Sequence, residues 1–169
     1  ILSAVDLSHK RSVTDLIFLP ANFEVSERGK FTRPKDPPTE QNMFLSVGAD
    51  GTLLWWDVRK AHEAPEEKPD DKGKKKPEGW GPHAKMAISN PDGAMELSPV
   101  YAYLDVDEDV TGPASVYTVT EEGEFTTIHL SNPQIENFSK GVRSVIPGHY
   151  GPCVALQRSP FVAGVHLSV

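Results

Sequence analysis

The segment SVGADGTLLWWD, residues 46–57, decides the fold of this chain. Its central pair, Asp50-Gly51, separates two short apolar runs. Asp-Gly in that position is a strong signal for a β-hairpin, because glycine tolerates the positive φ of a tight turn. Trp55 and Trp56 are adjacent, so in a strand their side chains point to opposite faces. We therefore predict the inner hairpin of a sheet that is covered on both faces, with exposure of Trp55 at a partner contact as the alternative.

On both sides of this hairpin, short runs of β-branched and aromatic residues typical of strands recur along the chain. In no segment do apolar residues recur with the spacing of a helix. The 13 glycines and 15 prolines among 169 residues favour many short strands joined by turns. The predicted strands are Val13–Leu19, Met43–Val47, Thr52–Val58, Val100–Val106, Ser115–Thr120, Glu124–Leu130, Val142–Ile146 and Cys153–Arg158. The sequence therefore predicts an all-β fold.

Two polar stretches interrupt the predicted strands. Residues 22–42 contain three prolines and many charges, and are predicted to be a loop inserted between two strands. Residues 62–82 hold almost no apolar side chain before Trp80, and are predicted to be a charged, flexible inserted loop. The lysines at 72–76 suggest contact with an acidic surface such as a microtubule. Neighbouring acidic residues cancel that charge within a Debye length, so a solvated loop is the preferred interpretation.

An internal repeat relates the two ends of the chain. Placing His9 on His149 also aligns a downstream leucine and a downstream proline. The triplet Leu-Ser-Val at 45–47 recurs at 167–169, so that Ser46 matches Ser168. The histidine and the serine are 37 residues apart in the first copy and 19 apart in the second. This difference is close to the length of the first insertion, so the two ends are copies of one unit.

A weaker copy of the unit lies between these two. A shift that superimposes the turn glycines puts Thr118 at the position of Ser46 and Ile128 at the position of Trp56. The hairpin pattern is retained while its aromatic and polar markers are lost. We expect apolar packing, without a polar chain, to hold this middle unit.

The first unit resembles a WD repeat, in which a histidine precedes the first strand, a serine lies in the second, and Trp-Asp ends the third. Proteins of that kind form four-stranded blades of about 40–45 residues arranged as a β-propeller. The resemblance implies a hydrogen-bonded blade network, because a buried indole N–H and a buried imidazole must find partners. The residues implied for this structural network are His9, Ser46, Asp50 and Trp56, with His149 and Ser168 in the last unit.

The whole chain, 1–169, is expected to be part of one WD40-type β-propeller, with about two blades and pieces of two flanking blades. Residues 1–6 read as the outer strand of one flanking blade, and residues 149–169 as the first two strands of the other. Closure of a propeller removes exposed sheet edges. We therefore expect this piece not to be a stable monomer by itself.

Two stretches narrow the resemblance to dynein intermediate chains. They are SHKRSVTDL at 8–16, followed by the polar insertion, and GHYGPCVALQRSPF at 148–161. The first is most similar to a WD-repeat intermediate chain of the two-headed inner-arm axonemal dynein. The resemblance implies a non-catalytic scaffold of the cytoplasm and cytoskeleton, in the axoneme of the cilium or flagellum. Its implied partners are the dynein heavy-chain tail, other intermediate and light chains, and proteins of the doublet microtubule. A WD-repeat scaffold in another ciliary or cytoplasmic assembly is the alternative.

Other function classes have little support in the sequence. The net charge of −7 argues against non-specific nucleic-acid binding, and no apolar run is long enough to cross a membrane. The single cysteine, Cys153, is expected to be a buried apolar side chain and not a nucleophile. The histidines lack metal-ligand spacing, and the acidic cluster at 105–109 lacks the pattern of a calcium loop. We predict no catalytic, cofactor-binding or metal-binding residue, no cofactor and no small-molecule substrate.

Overall fold

The computed structural model describes residues 3–27, 29–62, 79–89, 96–106, 114–130, 142–162 and 164–169. None of these residues is α-helical. The strands are β1 Val13–Phe18, β2 Glu24–Val25, β3 Phe31–Thr32, β4 Met43–Gly48, β5 Thr52–Asp57, β6 Ala84–Ala87, β7 Pro99–Asp105, β8 Ser115–Thr120, β9 Glu124–His129, β10 Val142–Pro147, β11 Leu156–Arg158 and β12 His166–Ser168. Two short 3-10 turns, Val5–Leu7 and Val58–His62, complete the described secondary structure.

Two four-stranded antiparallel sheets form the body of the molecule. The first blade has the strand order β1-β4-β5-β6, and the second blade has the order β7-β8-β9-β10. Strands β11 and β12 pair as the beginning of a third blade. The prediction of an all-β, partial WD40-type propeller is confirmed.

The repeat found in the sequence is visible in the register of the strands. Leu16 lies opposite Ser46 in the β1–β4 pair, and Leu156 lies opposite Ser168 in the β11–β12 pair. Residues placed at equivalent positions by the alignment therefore make equivalent pairs. The aligned units are the same structural element.

The main hydrophobic core lies between the first two blades. Strand β5 is buried along its entire length, which requires cover on both of its faces. Trp55 is 0% exposed, so the alternative of a Trp55 exposed at a partner contact is wrong. Burial of each large aliphatic side chain in such a core contributes roughly 2 kcal/mol to folding. The core side chains include Leu45, Val47, Leu53 and Trp55 from the first blade and Ala102, Leu104, Val116 and Ile128 from the second.

A smaller apolar cluster joins the second blade to the strands of the third. Val119, Cys153 and Leu156 are buried together there, against the partly buried rings of Tyr117 and Phe125. Burial raises the pKa of the Cys153 thiol above its ordinary value. A thiol held in its protonated form is a poor nucleophile, and the prediction of a buried apolar cysteine is confirmed.

Three segments differ from the sequence prediction. Residues 5–7 form a 3-10 turn and Ser3 makes only an isolated bridge, to Trp80, so the outer strand predicted for residues 1–6 is wrong over its described part, residues 3–6. Strand β6 was not predicted, because four residues give too short a pattern to recognise. The insertion at 22–42 contains the two-residue hairpin strands β2 and β3. Most of the other predicted insertion, residues 63–78, lies outside the described residues. The described part of the chain holds no helix that is long and apolar enough to span a bilayer.

Candidate functional site

Four side chains of the first blade form one hydrogen-bonded network, which we call the blade network. The Trp56 indole Nε1 donates to Ser46 Oγ at 2.8 Å. Ser46 Oγ lies 2.7 Å from His9 Nε2, and His9 Nδ1 lies 3.1 Å from Asp50 Oδ1. The structure therefore brings together all four residues that the sequence singled out in this unit.

The chemistry of the two ends fixes the direction of the blade network. An indole N–H can only donate and a carboxylate can only accept. In the neutral imidazole, the His9 Nδ1–H therefore donates a hydrogen bond to Asp50, and His9 Nε2 accepts one from the Ser46 hydroxyl. Ser46 in turn accepts from Trp56. Each polar side chain of the network is satisfied inside the blade, and one tautomer of the neutral imidazole is selected.

The β4–β5 turn positions the carboxylate at the end of this network. Asp50 also accepts from the Lys10 backbone N–H at 2.7 Å and from the Thr52 hydroxyl at 2.7 Å. Burial raises the pKa of Asp50, but hydrogen bonds from Thr52, the Lys10 N–H and His9 outweigh it, and the pKa lies below its ordinary value. Sequence reasoning missed Thr52, which also lies 2.9 Å from His9 Nδ1. The sequence signal that could have identified it is a hydroxyl two residues after a turn aspartate, where it can donate to the carboxylate.

Gly48 is a second residue that sequence reasoning missed. A Cβ atom at this position would overlap His9 Nδ1 and would lie 2.5 Å from Asp50 Oδ1. The imidazole therefore lies directly against the backbone of β4, and any side chain there would displace it. A glycine inside a strand often marks such a close approach, which was the available signal.

The third blade repeats part of the arrangement. His149 Nε2 lies 2.9 Å from Ser168 Oγ, as the alignment of the two units predicts, but this pair is exposed. Exposed hydrogen bonds compete with water and contribute less than buried ones. The structure brings these two residues together without the burial found in the first blade.

The described residues of the second blade form no histidine–tryptophan chain, and this blade is not held by apolar packing alone as expected. The hydroxyls of Thr118 and Thr126 meet at 2.5 Å inside the blade, and both side chains are fully buried. Ser115 Oγ lies 2.8 Å from His129 Nδ1. Ile128, at the tryptophan position, is fully buried. The middle unit therefore keeps buried polar contacts, made by threonines that carry no recognisable motif.

The Trp-Asp pair that ends β5 is tied to a neighbouring arginine. Arg59 donates to both carboxylate oxygens of Asp57, each at 2.9 Å, and to Glu24 at 2.8 Å. Burial raises the pKa of Asp57, but the Arg59 hydrogen bonds and charge outweigh it and hold the pKa below its ordinary value. The same pairing raises the pKa of Arg59. This cluster joins the end of β5 to strand β2 of the insertion.

Known proteins are similar in sequence to this chain over most of its length. Residues 1–129 match the family described as the dynein axonemal intermediate chain 3 WD40 domain. The chain is similar to the 70 kDa intermediate chain of the flagellar outer arm dynein of Chlamydomonas reinhardtii, with 28% identity over 165 residues, 98% of this chain and 22% of that protein. It is similar to dynein axonemal intermediate chain 2 of Homo sapiens, with 29% identity over 125 residues, 74% of this chain and 17% of that protein.

A third relative is the ciliary dynein intermediate chain 3 of Heliocidaris crassispina, with 30% identity over 125 residues, 74% of this chain and 17% of that protein. The chain spans less than a quarter of the length of these relatives. The names of these relatives describe them as axonemal, flagellar or ciliary. This family relationship assigns the chain to the axoneme of the cilium or flagellum. They include an outer-arm protein, so they do not assign the inner arm. The chain belongs to the WD40 domain family of axonemal dynein intermediate chains.

Proposed function

We propose that this chain is part of a non-catalytic scaffold subunit of an axonemal dynein arm. The propeller holds the tail of a dynein heavy chain, together with other intermediate and light chains, and helps to assemble or anchor the arm on the doublet microtubule. The blade network is the observation that carries this proposal. Its polar atoms are used to hold strands in place, which gives a rigid surface and leaves the chemistry of partner binding to the connections between strands.

The blade network has the connectivity of a hydrolase triad, but its serine is not placed to act as a nucleophile. Ser46, His9 and Asp50 follow each other as nucleophile, base and orienting acid would, and a cavity of about 290 Å³ borders Ser46 and His9. Ser46, however, is only 4% exposed, and its oxygen accepts the Trp56 indole N–H. A hydroxyl oxygen engaged by a buried donor is a weakened nucleophile. We therefore interpret the three residues as a structural chain.

The arm that contains the protein is proposed from the residues of the first unit. Residues 8–16 and the insertion that follows resemble the two-headed inner-arm intermediate chain, which favours an inner arm. The outer arm is the second candidate, because the Chlamydomonas reinhardtii relative is named as a flagellar outer-arm chain.

Purification of the tagged full-length protein from cilia or flagella tests the proposal. We expect dynein heavy chains and light chains to co-purify, and the protein to be missing from axonemes that lack the inner arm. Its loss from axonemes lacking the outer arm would select the second candidate. Recovery only in an assembly without dynein would overturn the proposal. Hydrolase turnover by the full-length protein that disappears in Ser46→Ala would overturn the non-catalytic part.

A further inference from the structure

Both insertions of the first blade leave from the same end of its sheet. Strands β1 and β5 run in the same direction, because each is antiparallel to β4 between them. The connection at 19–42 starts where β1 ends, and the connection at 58–83 starts where β5 ends. The turn at 49–51 lies at the opposite end. We call these the loop end and the turn end of the first blade.

Ion pairs fasten the two connections to each other at the loop end. Glu24 of β2 pairs with Arg59 at 2.8 Å, and Glu27 pairs with Lys60 at 3.1 Å. Arg59 is itself held by Asp57 at the end of β5. These ion pairs thus tie the hairpin of β2 and β3 to the end of β5.

A histidine and two aromatic rings complete the fastening. Lys60 Nζ lies 3.0 Å from His83 Nδ1, which must accept this bond since an ammonium can only donate. Burial, with the nearby Lys60 charge, lowers the pKa of His83 and favours the form that can accept. The rings of Phe23 and Phe31 pack with 5.2 Å between their centroids, and Phe31 also packs against the main hydrophobic core. The hairpin is held by polar and apolar contacts together.

The ion pairs that hold the hairpin use its acidic side chains, while basic side chains in and just after the hairpin are exposed to solvent. Residues 24–35 contain four basic and two acidic residues, in a chain of net charge −7. The two acids, Glu24 and Glu27, both pair with basic residues of the connection that follows β5. Lys30 and Lys35 lie on the exposed side. Asp36 and Glu40 follow on the exposed return to β4, so the basic excess belongs to the hairpin together with the three residues that follow β3.

We propose that the loop end of the first blade is the surface through which the propeller binds the dynein heavy-chain tail, with the β2–β3 hairpin as a fixed arm and acidic groups of the tail facing Lys30 in the hairpin and Lys35 just after it. This rests on the proposed function and adds the face and the charge of the contact. A fixed hairpin binds without the entropy cost of ordering a loop. Complementary charge at the rim speeds association and selects the partner.

The test compares two double charge reversals in the full-length protein, with the heavy-chain tail as the probe. Lys30→Glu with Lys35→Glu changes the hairpin, and Lys10→Glu with Lys85→Glu is the matched control. Both control residues are exposed, Lys10 beside the turn end and Lys85 on β6. We expect the hairpin pair to weaken binding by about tenfold at low salt, less at high salt, and the control to stay within about twofold.

The outcomes separate the two proposals. If the unmodified protein binds the tail and the hairpin pair binds equally well, the loop end is not the docking surface, although the scaffold function stands. If the control weakens binding as much as the hairpin pair, the effect is one of net charge and the assigned face is wrong. If the unmodified protein does not bind a heavy-chain tail, the proposed function itself fails.

Discussion

The first and second blades have the same strand plan but use different chemistry at their centres. In the first blade Ser46 receives the indole of Trp56 and contacts His9. At the equivalent position in the second blade, Thr118 pairs with Thr126. Two hydroxyls on adjacent strands can form a hydrogen bond with each other while occupying little volume. An indole and an imidazole are larger and fit only where neighbouring residues leave room for the rings. The histidine network is therefore one solution for a blade centre and not a requirement of it.

The position of Gly48 in the first blade, and of Thr120 in the second, shows how the strand differs between a blade with the histidine network and one without it. Gly48 leaves the space that His9 fills, and its counterpart Thr120 carries a fully buried side chain. Thr120 Oγ1 accepts from the Glu124 N–H at 3.1 Å. In the first blade the corresponding N–H of Thr52 reaches the Asp50 carboxylate at 3.3 Å. The threonine thus takes over part of the role of the turn aspartate.

The largest expected effect comes from Gly48→Ala. The new Cβ would overlap His9 and Asp50, so the imidazole must leave and two buried polar partners lose their bonds. We expect a loss of about 3–4 kcal/mol in the free energy of unfolding, measured by denaturant titration of the full-length protein. The matched change Thr120→Ala in the second blade should cost only about 1 kcal/mol. A Gly48→Ala variant as stable as Thr120→Ala would show that the imidazole is not held where we place it.

Two double-mutant cycles compare the blade centres directly. Ser46→Ala with Trp56→Phe should show a coupling energy of about 1–2 kcal/mol, because each single change leaves the other group unsatisfied. Thr118→Val with Thr126→Val should be nearly neutral as a pair, since both hydroxyls are replaced by groups of similar shape, while either change alone costs about 1–2 kcal/mol. The unfolding free energies of the six variants decide this. Additive effects in both cycles would mean that neither contact contributes as a pair.

Acid should weaken the first blade through Asp50. Its pKa in the folded protein lies below the ordinary value of 3.8. Its contribution is therefore complete above the pKa of the unfolded chain and is lost as the pH falls through the lower folded value. Asp50→Asn should flatten the pH dependence of the melting temperature in that acidic range. Glu122→Gln, at the exposed equivalent position of the second blade, is the control and should leave the dependence unchanged. Equal curves for Asp50→Asn and the unmodified protein would contradict the role of the carboxylate.

The parts of these blades that have strong local patterns could be predicted from the sequence. The hairpin at 46–57 carries an Asp-Gly turn and adjacent tryptophans, and the repeated histidine with the repeated Leu-Ser-Val triplet is enough to pair His149 with Ser168. Side chains with a single hydrogen-bonding role, such as an indole, leave few alternatives for their partners.

The features that were not predicted depend on contacts between distant segments. Thr118 and Thr126 form a pair only because the register of β8 and β9 places them opposite each other, and threonine is common in strands whether paired or not. The hairpin in the insertion is held by Arg59 and Lys60 from another connection, which no local pattern encodes. Residues 5–7 form a turn in a segment whose Ala4 N–H bonds to the Trp80 carbonyl, far along the chain.

The smallest expected effect separates the fastening of the insertion from the strength of the blade. Glu24→Gln removes one charge of a pair in which the arginine side chain is 46% exposed and the glutamate 30%. Because water screens such a pair, we expect a loss of only about 0.5 kcal/mol in global stability. Hydrogen exchange of the β2–β3 amides should nevertheless speed up, while exchange in β4 and β5 stays the same. A matched Glu121→Gln, in the exposed turn between β8 and β9, should change neither. If Glu24→Gln accelerated exchange throughout β4 and β5, the ion pair would belong to the blade itself, and the hairpin would not be a separately held arm.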